Sequence, residues 1–133
     1  MRYDTIMDNE WLNVRYYPDE GIIHHTWKKA CSGQVFRDMM LEASDYLGSH
    51  RGSKWLSDDR LFTAMTNEDS LWGQRVWFAR TIHAGWKHWA MLLPERNIGH
   101  ESMQMIVTEY RAAGINAKVF ENLDGALEWL QAQ

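Results

Sequence analysis

The stretch Trp86-Lys87-His88-Trp89-Ala90-Met91-Leu92-Leu93 decides how this chain is read, because it is its most apolar run and Pro94 closes it. A short run of this kind, bounded by a helix-stopping glycine and a proline, is a strand covered on both faces, as the middle of a parallel sheet requires. Upstream, Asn67 to Ala84 carries a helical pattern before Gly85, and Thr66 or Asn67, with Asp69 following, starts it. Before that lies a second short strand, Lys54-Trp55-Leu56-Ser57-Asp58. Downstream, Met103, Ile106, Val107 and Tyr110 mark a helix from about His100 to Ala113, and Gly114 ends it. Ile115 to Phe120 is the last strand, and Asn122 caps a final helix with Leu123, Ala126, Leu127 and Leu130 inward.

Toward the N-terminus, Trp11–Tyr17 and Gly21–Trp27 flank the turn formers Pro18-Asp19-Glu20 and predict an antiparallel hairpin. Ser32 is placed to cap a helix with Phe36, Met39, Met40, Ala43 and Leu47 at helical spacing, and Gly48 is expected to stop it in the left-handed conformation. The order is strand, strand, then helix and strand in alternation, ending on a helix. It predicts an α/β domain over residues 1–133: a mixed, largely parallel sheet flanked by about four helices. Sites in such sheets lie beyond the C-terminal ends of the strands.

Composition narrows the functional classes. With 14 Lys plus Arg against 18 Asp plus Glu, the net charge of -4 offers nucleic acid and anionic lipid no general attraction. The opening MRYDTIMDNEW places acids where a signal peptide needs an apolar core, and no run approaches a membrane span, so a cytoplasmic protein is expected. The single Cys31 has no partner for an intramolecular bridge and reads as a packing residue. His24 and His25 are adjacent on a strand and point to opposite faces, and no HExxH or comparable spacing occurs, so no metal and no other cofactor is expected. No GxSxG elbow, GxxxxGK[ST] loop or GxGxxG fingerprint is present. Eight Trp in so short a chain place large aromatic area in a core or an interface.

Several phrases carry a family resemblance: Lys54-Trp55-Leu56-Ser57-Asp58, Val76-Trp77-Phe78-Ala79-Arg80, Leu92-Leu93-Pro94-Glu95 and the run Glu121-Asn122-Leu123-Asp124-Gly125-Ala126-Leu127-Glu128-Trp129-Leu130. With the element order, they resemble the bacterial SpoIIAA-like proteins of the STAS/SEC14-like group, across Trp11 to Leu130. The resemblance implies a mixed sheet flanked by helices, as in anti-sigma factor antagonists, which are regulated by phosphorylation of a serine in an Asp-Ser-Ser-Gly type junction. Here the junction reads Ser57-Asp58-Asp59-Arg60-Leu61-Phe62-Thr63-Ala64-Met65-Thr66-Asn67; Asp58 matches the acidic residue, and no serine follows it.

The candidate sites cluster at this junction and on the helix after it. Asp58 and Asp59 sit beyond a strand end, beside a helix N-terminus where a phosphate, carboxylate or partner loop could bind, or where a solvated loop simply bonds its own backbone. Ser57, Thr63 and Thr66 are the candidate phosphoacceptors. At about 100° per residue, Leu71, Trp72, Phe78, Ala79 and Ile82 gather on one helix face with Arg75 in its middle, so Arg75 is expected inward, paired with Asp58 or Asp59 or, as the alternative, binding an anion. Trp77 is then expected outward beside Arg80, either as an interface anchor in a homodimer or other protein contact, or covered by the chain itself. The expected function is a non-enzymatic regulatory or protein-interaction module. The alternative, from the SEC14 side of the resemblance and the Trp, Phe and Met content, is a small apolar ligand or lipid held between sheet and helices.

Overall fold

In the computed structural model, which describes residues 1–62, 65–94 and 97–133, one sheet holds six strands in sequential order. The strands are β1 (Asp4–Asp8), β2 (Leu12–Tyr17), β3 (Ile22–Trp27), β4 (Lys54–Asp58), β5 (His88–Leu92) and β6 (Asn116–Phe120). The first three pair antiparallel, and β3 to β6 run parallel. Helix α1 (Gln34–Ser49) links β3 to β4, and α4 (Asn97–Ala112) links β5 to β6. Between β4 and β5 runs one helical rod made of α2 (Asn67–Trp72), a π-helical segment (Gly73–Trp77) and α3 (Phe78–Ala84); α5 (Leu123–Gln131) ends the chain. The expected α/β class and mixed, largely parallel sheet are observed, and the turn-bounded strands fall where their alternation puts them. Among the described residues no helix is long and apolar enough to cross a membrane.

Parallel register aligns the side chains into rows. His25, Ser57 and Met91 stand level across β3, β4 and β5, and two residues earlier Ile23, Trp55 and Trp89 do the same. Both rows face a large core that α1, the rod and α4 complete with Phe36, Met40, Leu47, Trp77, Val107 and Tyr110. Successive strand residues alternate faces, so Ile22, Leu56 and Ala90 face the other way and pack under α5 against Ala126 and Leu130. Asn122 caps α5 as expected, its side chain accepting from the Gly125 N–H at 2.8 Å.

Three expectations are corrected. Strand β1 escapes the sequence reading because its Asp4 and Asp8 ends and a bulge between Thr5 and Met7 hide its alternation; charge and bulges are how an edge strand avoids pairing with other chains. Ser32 does not cap α1, which starts after Gly33 with no side-chain cap bond. Gly48 stays inside α1, and the left-handed residue beyond the helix is Arg51, at φ 56°. What Gly48 supplies is space, since a Cβ there would meet the Cβ of Ala84 at 3.0 Å, and α3 could not come so close.

Candidate functional site

The site begins on the sheet face under α1 and the rod. Near the C-terminal end of β3, His25 is 3 % exposed and hydrogen-bonded at both ring nitrogens. The Trp55 indole N–H donates to its Nδ1 at 2.8 Å, and its Nε2 lies 2.8 Å from Oδ1 of Asp59. An indole N–H can only donate, so Nδ1 is the acceptor. The ring is therefore a neutral imidazole carrying its proton on Nε2, which it donates to Asp59. Asp59 is positioned by its own backbone: its N–H donates to the Leu92 carbonyl at 3.0 Å and its carbonyl accepts from the Phe62 N–H at 3.0 Å. Beside it, Ser57 accepts the Trp89 indole N–H at 2.8 Å, which leaves the hydroxyl proton to donate elsewhere.

Asp58 goes the other way. One residue earlier on an extended chain, it faces the α5 side and takes the Arg60 guanidinium on both oxygens, at 2.9 and 2.8 Å. Burial alone would raise its pKa, but the hydrogen bonds and charge of Arg60 outweigh that and hold it below the ordinary carboxylate value. On the same face His24, bonded to the Tyr17 hydroxyl at 3.0 Å, is pushed down to about 4, first by burial and then by His25.

The rod supplies the opposite wall. Thr66 caps α2, its hydroxyl oxygen accepting from the Asp69 N–H at 3.1 Å. Asp69 is 1 % exposed and turns inward, where Arg37 Nε and the Gly33 N–H of the α1 start donate to its two oxygens at 3.1 and 3.0 Å. One turn on, the Phe78 N–H reaches back five residues to the Gly73 carbonyl. In an α-helix, residues four apart drift by about 40° per step; the wider π turn removes that drift. Asp69, Gly73, Trp77 and Thr81 consequently form one line along α1. Trp77 donates its indole N–H to the Met40 carbonyl at 3.1 Å, and Thr81 donates to the Trp77 carbonyl at 2.6 Å while meeting Ser44 at 2.9 Å.

This line overturns the expected orientation of the rod. Trp77 is buried at 6 %, edge-on to Trp55 and Trp86 at centroid distances of 5.2 and 5.1 Å. Arg75 is exposed, and neither Asp58 nor Asp59 is its partner. Arg80 lies on the surface and holds Asp45 of α1 with three guanidinium contacts, at 2.9, 3.2 and 3.3 Å. The cause is composition: besides Trp77 the inward line holds a glycine together with an acid and a threonine that are hydrogen-bonded across the helix seam. The more apolar positions Leu71, Val76 and Ile82 face solvent.

Between the sheet and the rod these residues leave a partly enclosed cavity of about 80 Å³. Rings of Trp27, Phe36, Phe62, Trp72, Trp77, Trp89 and Tyr110 line it, together with Met40, Met65, Ile106, Gly73 and the polar His25, Ser57, Asp59, Asp69 and Ser70. Burial pushes the Tyr110 phenol well above its usual pKa, so its hydroxyl keeps the proton. No Lys or Arg is among the described lining residues. A Cβ placed on Gly73 would meet nothing within 4 Å, although its φ of -57° and ψ of -45° suit any residue.

Of the residues expected from the sequence, Asp59, Ser57 and Trp77 meet at this cavity. Asp58, Arg75 and Arg80 lie elsewhere, Thr66 is a helix cap, and Thr63 falls outside the described residues, as do Ala64 and Glu95. His25, Asp69, Gly73, Trp89 and Tyr110 were not anticipated. Only the His24-His25 pair inside a strand, with its two opposite faces, pointed toward one of them. Among the described residues no three His, Cys, Asp or Glu side chains converge as a metal site would require. No family model, curated protein or solved structure matches the chain.

Proposed function

We propose that this chain is a SpoIIAA-like domain of the STAS/SEC14-like group that acts as a non-enzymatic binding module, taking a small, mostly apolar ligand in the aromatic cavity. The observation that carries this reading is the space itself: seven aromatic rings around an opening of about 80 Å³, with the helical Gly73 on its wall and open space where that residue's Cβ would stand. By volume it admits roughly five waters or one compact alkyl group. A glycine inside a helix costs about 1 kcal/mol relative to alanine, and π segments recur at functional sites. The rod thus gives up stability at the point where it borders the cavity. Ser57, only 3 % exposed, and Thr66, engaged as a cap, suit structural roles better than phosphorylation.

The test is calorimetric titration of the full chain with small fragments, charged and neutral, beside Gly73→Leu. Saturable binding in the wild type that disappears in Gly73→Leu is expected. No saturable binding to any fragment, or equal binding by the variant, would contradict the reading.

A second reading keeps the protein-contact role and moves its surface. Leu71, Val76 and Ile82 are exposed at 44, 45 and 37 % on the rod, where Arg75 is exposed as well; exposed apolar side chains on one element are where an association surface would be sought. Light scattering that finds a dimer converted to monomer by Val76→Glu supports self-association, and a wild-type mass of one chain counts against it.

A further inference from the structure

The charges at the cavity say more than its shape. Two carboxylates line it, and they differ in what neutralises them. Asp69 is met by the guanidinium of Arg37 and a backbone N–H. Asp59, with its side chain 7 % exposed, is met on Oδ1 by His25. His25 cannot be an imidazolium while its Nδ1 accepts from Trp55. The Asp59 carboxylate therefore faces a neutral donor, and among the described residues no cation pairs with it. Its second oxygen makes no hydrogen bond among the described residues. A buried carboxylate left this way is costly. The surrounding surface is aromatic, and ring faces attract cations through their quadrupole.

We propose, resting on the ligand-binding reading above, that the cavity takes a small organic cation, an alkylated ammonium, with its charge against Asp59 and its alkyl groups against rings such as Trp27, Trp72 and Trp89. A neutral apolar molecule of the same shape would fill the space and leave Asp59 unmatched. An anion would meet both carboxylates with no basic lining residue to offset them. Ser57 and Tyr110 each keep a hydroxyl proton able to donate, and so can satisfy an oxygen carried on the cation's alkyl chain. Arg37, stacked 5.7 Å from the Trp72 ring while holding Asp69, occupies the neighbouring anionic position with the protein's own cation and leaves Asp59 to the ligand.

Choline and 3,3-dimethylbutan-1-ol are isosteres that differ in one charge, so calorimetric titration of the full chain with each separates charge from shape. Choline is expected to bind at least about tenfold tighter. In Asp59→Asn, whose amide oxygen can still accept from His25 Nε2, choline should weaken about tenfold while the alcohol changes by less than about twofold. If the alcohol binds as well as choline, the cation assignment is overturned and the apolar-ligand reading stands. If neither binds, both fall. Should Asp59→Asn fail to fold, the wild-type comparison alone still decides the matter.

Discussion

Gly73 and Trp77 carry most of the argument at the scale of single residues. Gly73 has ordinary helical angles and open space where a side chain would stand, so Gly73→Ala should raise stability by up to about 1 kcal/mol while weakening any ligand in the cavity. Urea unfolding together with titration would show the two effects moving in opposite directions; a loss of stability would mean the space is not there. Trp77 fills the seam between α1 and the sheet, and Trp77→Ala should cost about 3–5 kcal/mol. Arg75→Ala, on the outer side, should stay within about 0.5 kcal/mol. Equal costs would restore the orientation read from periodicity. His24 gives a pH signature. Its pKa falls from 6.5 unfolded to about 4 folded, chiefly through burial, so the native state binds fewer protons than the unfolded chain. The stability this represents is present above pH 6.5 and is lost as pH falls toward 4, about 3 kcal/mol in all and about 2 by pH 5. Unfolding measured at pH 6.5 and 5 should show that loss in the wild type and much less in His24→Gln; identical losses would contradict it.

At the scale of elements, what the sequence made legible and what it concealed separate cleanly. Strands β2 to β6 are bounded by turn residues and are either partly alternating, as in β2, or short apolar runs covered on both faces, as in β5, while Asn122 starts α5 and Gly85 ends α3 by chemistry visible in one or two letters. The rod is turned from the orientation its periodicity gives, with Trp72 and Phe78 still against the core but Leu71, Ala79 and Ile82 outward, because its inward line is Asp69, Gly73, Trp77 and Thr81, three of them not hydrophobic. Periodicity rewards apolar residues, and here burial is supported by hydrogen bonds to Gly33, Arg37, Met40 and Ser44 that lie more than thirty positions away. Ser44 and Thr81 offer a check on this seam. A double-mutant cycle with Ser44→Ala and Thr81→Val should return a coupling of about 0.5–1.5 kcal/mol, and a coupling near zero would mean that the hydroxyls do not act together.

For the whole molecule, the sheet gathers the site from five separate segments. Asp59, the residue after β4, was legible as a strand-end acid; its partners were not. His25 comes from β3, Trp89 from β5, Tyr110 from α4 and Gly73 from the rod. Only parallel register and the three helices on one face bring them together. No spacing along the chain encodes that meeting. The same arrangement explains the aromatic composition, since Trp residues also build the scaffold of the cavity: Trp89 and Trp77, which line it, donate their N–H groups to Ser57 and to α1, and Trp55 behind it donates to His25.

The most direct test of the cavity as a ligand site uses this placement. In full-length protein labelled with nitrogen-15 at tryptophan, choline should move the indole N–H resonances of Trp27, Trp72, Trp77 and Trp89 in a saturable way and leave those of Trp11 and Trp129, outside the lining, unchanged. Gly73→Leu should abolish the shifts. Resonances that stay fixed throughout, or that all move together without saturating, would contradict the account.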